Sequence, residues 1–163
     1  MKYFAGDFAA GWLMAVFLIL VPVIGSAADA PKMPPPEPYC QWKLTNFAIN
    51  EPLCGLTGDI ERGKAIATDS YRGNCVACHV LPVEGVEAFG TIGPSLDGVG
   101  KRLPRGFLRL RIVDTRRINP MSIMPGFYRD PELTHRPARD MVGRTFLTAQ
   151  QVEDVIAYME TLK

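Results

Sequence analysis

A mainly α-helical domain, with a few helices joined by long loops, is the fold class this sequence predicts, and three observations lead to it. Apolar or small residues recur near helical spacing in three stretches: Ile60, Gly63, Ile66 and Ala67; roughly Arg105 to Thr115; and Val152, Val155, Ile156 and Met159. Between them glycine and proline break the chain at Gly90, Gly93, Pro94, Gly98, Gly100, Pro125 and Gly126. Strict alternation of apolar and polar residues, the mark of a half-buried strand, is scarce. Loops this long need a large body to pack against, so the domain is expected to enclose a bulky group.

With 163 residues, 47% of them hydrophobic, the chain is long enough for one compact domain with appendages. Its formal net charge of +1 leaves no global field of the kind that marks a nucleic-acid binder. The amino terminus carries Lys2, a nearly unbroken apolar run from Phe8 to Gly25, and then Ser26, Ala27 and Ala28. That layout reads as a secretory signal over residues 1–28, cleaved near Ala28, which implies a periplasmic protein in a bacterial setting. The competing reading is a retained anchor, since the run is just long enough to span a bilayer. Pro22 and the small-residue end favour processing.

Residues 29–57 form an amino-terminal arm, and residues 58–163 the expected functional domain. The arm begins with Pro31, Pro34, Pro35, Pro36 and Pro38, whose fixed φ and missing N–H donors exclude a helix or a central strand. Cys40 and Cys54 then flank an apolar stretch containing Trp42, Leu44, Phe47 and Ile49. In an oxidising compartment the two most simply pair with each other, restraining the unfolded chain by roughly 3 kcal/mol. A free thiol or an intermolecular bridge are the alternatives.

Asp59 is placed to cap a helix that runs to about Tyr71, and this helix leads into the other two cysteines. A second helix over roughly Arg105 to Thr115 must stop before Asn119-Pro120, because the residue preceding proline is pushed out of the helical region. The last helix is the clearest: Thr148-Ala149-Gln150-Gln151 is a capping box, followed by the apolar stripe of Val152, Val155, Ile156 and Met159.

Cys75-Val76-Ala77-Cys78-His79 has the spacing of a c-type haem attachment site. Two cysteines three apart on a tight helical turn can reach the two vinyl groups of one porphyrin edge, while the next residue places its imidazole under the iron. A redox dithiol would want a βαβ context, and a zinc site further ligands at close spacing; neither is evident. One motif implies one haem, with His79 as the proximal ligand. The sixth ligand is expected from Met124 in Met124-Pro125-Gly126-Phe127, where proline stiffens the loop. Met121 competes closely and Met141 less so, since most methionines are core. A thioether ligand raises the reduction potential and suits electron acceptance. His135 lies among Arg136, Pro137 and Arg139 and reads as solvated surface.

The nitrogen of an axial histidine that does not bind metal normally donates to a carbonyl, and in Gly93-Pro94-Ser95-Leu96 the natural acceptor is Pro94, although Gly-Pro also suits a plain turn. The run Lys101 to Arg117 holds Lys101, Arg102, Arg105, Arg109, Arg111, Arg116 and Arg117 against the single acid Asp114. It reads either as a solvated helix face or as a steering patch for an anionic partner, with Arg102 near a haem propionate.

In order, a helix, C-x-x-C-H, Gly-Pro-x-Leu, a Met-Pro loop and a C-terminal amphipathic helix resemble the class I cytochromes c. Within that group the chain is most similar to the SoxX subunits of SoxAX sulfur-oxidation cytochromes. The strings that carry the likeness are Gly73 to His79, Ile92 to Gly100, Ile112-Val113-Asp114, Ile118-Asn119-Pro120 with Met124 to Tyr128, and Leu147 to Tyr158. The resemblance implies a heterodimer with SoxA, whose complex couples thiosulfate to a cysteine of the SoxYZ carrier protein, an L-cysteine S-thiosulfotransferase activity. It places the sulfur chemistry on SoxA and leaves no catalytic residue here: the SoxX-type subunit accepts electrons through a haem held by His79 and Met124 and passes them to a small cytochrome c or similar acceptor. It also casts Gly63 and Tyr158 as the close contact where first and last helices cross. Cys40 and Cys54 have no place in the shared pattern. Joining two sulfur centres releases two electrons while one haem holds one, so an onward acceptor is required. A stand-alone periplasmic electron carrier is the main alternative, and a haem sensor module with an open sixth position a third.

Overall fold

Asp59 opens the first helix of the computed structural model: its carboxylate accepts the Arg62 N–H at 2.8 Å, and α1 runs over Ile60–Thr68. The structure describes residues 36–163; the expected export segment and the start of the proline-rich stretch lie outside the described residues. Helix α1 is shorter than its sequence pattern promised. Asp69 leaves the helical region (φ −74°, ψ 119°), and its carboxylate takes the Tyr71 N–H at 2.8 Å and the Arg72 side chain at 2.6 Å. A local side-chain acceptor has displaced the next helical turn.

Three more helices follow. Short α2 spans Val99–Arg102, α3 spans Arg105–Asp114 and α4 spans Ala149–Thr161. The capping box of α4 is present, with the Thr148 hydroxyl accepting from the Gln151 N–H and the Gln151 amide oxygen accepting from the Thr148 N–H. Single 3-10 turns at Leu53–Gly55, Cys75–Ala77, Thr115–Arg117, Pro131–Leu133 and Arg139–Met141 shape the connecting chain. Among the described residues there is no strand, only an isolated bridge between Thr45 and Ala48.

Helix α4 is the hub. Its stripe of Val152, Val155, Ile156 and Met159 is buried, and α1, α2 and α3 all pack on it, α1 most extensively. Two glycines set the α1–α4 approach. A Cβ at Gly63 would run into the Asp154 carbonyl and lie 2.9 Å from the Tyr158 Cβ; one at Gly58 would meet the Glu153 carbonyl. The crossing is therefore backbone against backbone first, with the Tyr158 Cβ beside it.

The described part of the arm packs on this body. Ile49 and Leu53 are buried, the Ile49 N–H donates to the Gly106 carbonyl at 2.9 Å, and Cys40 and Cys54 are joined in a disulfide with Cα atoms 5.6 Å apart. Beneath it lies an ion pair absent from the sequence reading. Arg109, 1% exposed, donates to both carboxylate oxygens of Glu153, 0% exposed, at 2.7 and 2.8 Å. The same guanidinium reaches the Ile49 carbonyl at 2.6 Å, and Glu153 also accepts the Leu53 N–H at 2.9 Å. Every charged atom of the pair has a partner, which is what allows it to stay buried.

Candidate functional site

The cysteine motif sits at the end of a short return from α1. Gly73 donates its N–H to the Ile66 carbonyl at 3.1 Å, and Asn74, in the left-handed region (φ 46°), turns the chain into the 3-10 segment Cys75–Ala77. The Cys75 carbonyl then accepts from both Cys78 N–H (3.2 Å) and His79 N–H (2.9 Å). This single turn fixes both thiols and the imidazole relative to one another.

A strap formed by residues 90–96 lies along the motif. Gly90 N–H donates to Val76 O at 2.8 Å, Gly93 N–H to Cys78 O at 2.7 Å, and Leu96 N–H to Val80 O at 2.9 Å. The strap delivers the Pro94 carbonyl to 2.7 Å from His79 Nδ1. A carbonyl can only accept, so Nδ1 carries the proton and Nε2 keeps its lone pair for a metal. Gly93 is required for this fit: a Cβ there would lie 2.5 Å from Nδ1 and 2.7 Å from Nε2 of the His79 ring. Arg102 holds the far end of the strap, with its guanidinium donating to the Ser95 carbonyl at 2.8 Å and to the Asp97 carbonyl.

Burial separates the methionines. Met124 is half-buried and packs on the core, whereas Met121 is 86% exposed. Met141 is half-buried in the Arg139–Met141 turn, and His135 is exposed. The Met124 loop is anchored just downstream, where Phe127 N–H donates to Ile112 O at 3.0 Å and Tyr128 N–H to Val113 O at 3.2 Å.

The donor set suits a haem. Cys75 and Cys78 are unpaired thiols in a chain whose other two cysteines are bridged. Burial pushes the Cys75 thiol up to about 11, so it is protonated at neutral pH and lacks the depressed pKa of a redox-active dithiol. Among the described residues no cluster of three or more His, Cys, Asp and Glu side chains is placed to hold a metal ion. Apolar side chains flank both candidate ligands: Val80 beside His79, Ile92 beside Gly93, and Ile123 beside Met124, all exposed. Exposed apolar side chains next in sequence to the candidate ligands suit contact with an apolar macrocycle. The Tyr158 hydroxyl, buried and without a hydrogen-bond partner among the described residues, has its pKa raised by burial first and by Cys75 next.

The basic run resolves into separate roles. Arg109 is buried with Glu153, and Arg105 pairs with Glu160 at 3.2 Å. Arg117 meets Asp114 at 3.5 Å and lies over the Trp42 ring at 6.0 Å. Arg102 clamps the strap, and Arg111 lies over the Phe107 ring at 5.1 Å. Sequence reasoning also missed Tyr39 and Tyr128, whose rings stack with centroids 4.9 Å apart. The available signal was Tyr128 standing directly after the Met-Pro-Gly-Phe string.

Comparison with known proteins agrees with this geometry. The family model for cytochrome c matches residues 60–163. A curated relative, a cytochrome c-553-like protein of Synechocystis sp., is 30% identical over 110 residues, covering 68% of this chain and 75% of the relative. Among solved structures, the crystal structure of SoxXA from P. pantotrophus matches with a TM-score of 0.68 and 35% identity, over 75% of this chain and 94% of that one.

Proposed function

Because this chain belongs to the cytochrome c family, we propose that it is the electron-accepting, monohaem subunit of a SoxAX-type complex in the periplasm, exported by its first 28 residues. Membership of the family implies a covalently bound haem c. Cys75 and Cys78 would hold it through thioethers, and His79 Nε2 and Met124 Sδ would bind its iron. When bound, the haem supplies a one-electron couple.

The rest is the work of the chain. The Pro94 carbonyl fixes the tautomer of His79 and strengthens it as a donor, and the glycine at 93 lets the strap approach closely enough to do so. Helix α4 supplies the rigid floor against which α1 is set, and the motif turn packs on α1. With Cys75 and Cys78 committed to thioethers and His79 to the iron, no motif residue is left to act as a nucleophile or base, so this subunit relays electrons and a SoxA partner carries the sulfur chemistry, coupling thiosulfate to a cysteine of SoxYZ. A small downstream cytochrome or similar acceptor then collects the electrons.

One observation carries the reading: 94% of a SoxXA chain is matched at 35% identity, which extends well past the attachment motif. Thiosulfate oxidation assayed with and without a SoxA partner tests it. Activity that requires both chains is the expected result. A chain that purifies alone, reduces with any donor and adds nothing to a SoxA preparation would instead be a stand-alone carrier.

A further inference from the structure

The loop that carries Met124 has little of its own to hold it shut. Its bonds are local: Ser122 N–H to Asn119 O at 3.0 Å, Met121 N–H to Asn119 Oδ1 at 3.1 Å, and Met124 N–H to Ser122 Oγ at 3.3 Å. Met121 and Ile123 on either side of it are 86% and 78% exposed. Segments with few buried contacts open at little cost in free energy. What closes this one is the stretch just after it, where Phe127 and Tyr128 bond to the end of α3 and Tyr128 is fully buried.

Tyr128 is buried by the arm. Its ring stacks on Tyr39, with planes 21° apart, and its hydroxyl accepts the Cys40 N–H at 2.8 Å across 88 residues of sequence. Tyr39 is itself fixed, because its hydroxyl accepts Trp42 Nε1–H at 2.7 Å. Cys40 is tied to Cys54, and neighbouring Leu53 is held by Glu153 of α4. A continuous line of contacts thus runs from the rigid hub helix, through the arm, to the residue four positions beyond Met124.

We infer that the amino-terminal arm is a buttress for the Met124 loop, with Tyr39 and Tyr128 as positioning residues that govern how readily an outside ligand takes the place of the Met124 thioether. This rests on the reading of Met124 as the axial ligand. One aromatic stack and one hydrogen bond together favour the closed loop over the open one by about tenfold.

The ferric holoprotein, titrated with imidazole, tests this, because apparent affinity rises in proportion to the open fraction of the loop. Tyr39→Leu, which loses the stack and leaves the Cys40 N–H bond to Tyr128 in place, is expected to bind imidazole about threefold more tightly than wild type. Tyr128→Phe, which removes one oxygen and keeps the ring, is expected to gain about threefold from the lost hydrogen bond, and serves if the leucine variant does not fold. Met124→Ala is the open reference and should lose the weak red band of ferric thioether ligation. A melting point that falls in the tyrosine variants while imidazole affinity stays within twofold of wild type overturns the buttress alone. A Met124→Ala protein that keeps the red band overturns the ligand assignment and the buttress with it.

Discussion

Replacing Glu153 with alanine is expected to destabilise the protein by about 4 kcal/mol, and the structure supplies the reasons. Arg109 and Glu153 are essentially inaccessible to water, and two hydrogen bonds join them at 2.7 and 2.8 Å. Removing one member of such a pair leaves a buried, uncompensated charge, at roughly 3 to 5 kcal/mol. The alanine variant also strips the Leu53 N–H of its acceptor, a loss of about 1 kcal/mol that places the total in the upper half of that range. Arg105, 4.0 Å from the same carboxylate, is itself a cation and so cannot compensate the charge left on Arg109. Denaturant unfolding of the ferric holoprotein, followed by helical circular dichroism, measures the loss as a lower midpoint at unchanged slope. The double variant Arg109→Met/Glu153→Leu removes both charges and should be better than the sum of its single substitutions by at least about 2 kcal/mol. A cost below about 1 kcal/mol for Glu153→Ala, or strict additivity in the double variant, would refute the account.

Other substitutions probe the site and its scaffold. Gly93→Ala puts a methyl group into the His79 ring and should break the bond to Pro94. Losses of such outer partners are on the order of 10- to 100-fold in ligand affinity, so a high-spin ferric fraction is expected; an unchanged low-spin spectrum would count against the strap. Gly63→Ala forces a Cβ onto the Asp154 backbone and should lower stability by about 2 kcal/mol, which a thermal melt can read. For acid stability, burial would raise the Asp154 carboxyl, but hydrogen bonds from Arg62, the Asp59 N–H and Gln150 outweigh it and hold its pKa below the usual range. Its folded pKa is thus below its unfolded one, so its contribution is intact above about pH 4 and disappears as pH falls through the folded value. Asp154→Asn should flatten the acid limb of urea midpoints plotted against pH, and an unaltered limb would show that other groups set it.

What could be read from sequence was whatever a few consecutive residues decide. The spacing of Cys75, Cys78 and His79 predicts that they share one turn, and the structure has them on one. Helix starts are equally local, as the Asp59 cap and the Thr148 box demonstrate. The Pro94 carbonyl was a fair expectation because it sits in a short Gly-Pro string, and the structure places it at hydrogen-bonding distance from His79. Arg109 was another matter. It was grouped with a basic run, yet it lies on the buried side of α3 because Glu153, 44 residues later, completes it. The only hint was a glutamate set among Val152, Val155 and Ile156 on an otherwise apolar face. The Tyr39–Tyr128 stack is beyond any local rule, since periodicity carries no information about pairs that distant.

The α1–α4 crossing joins residues 60–68 to residues 149–161, and so ties the completion of the core to a stretch made well after the cysteine motif. A crossing between segments this far apart in sequence cannot form before the later one has been made. During vectorial emergence, Cys75, Cys78 and His79 therefore stand on a segment whose floor has not yet arrived. That interval leaves both thiols on an unfinished surface until α4 docks against α1.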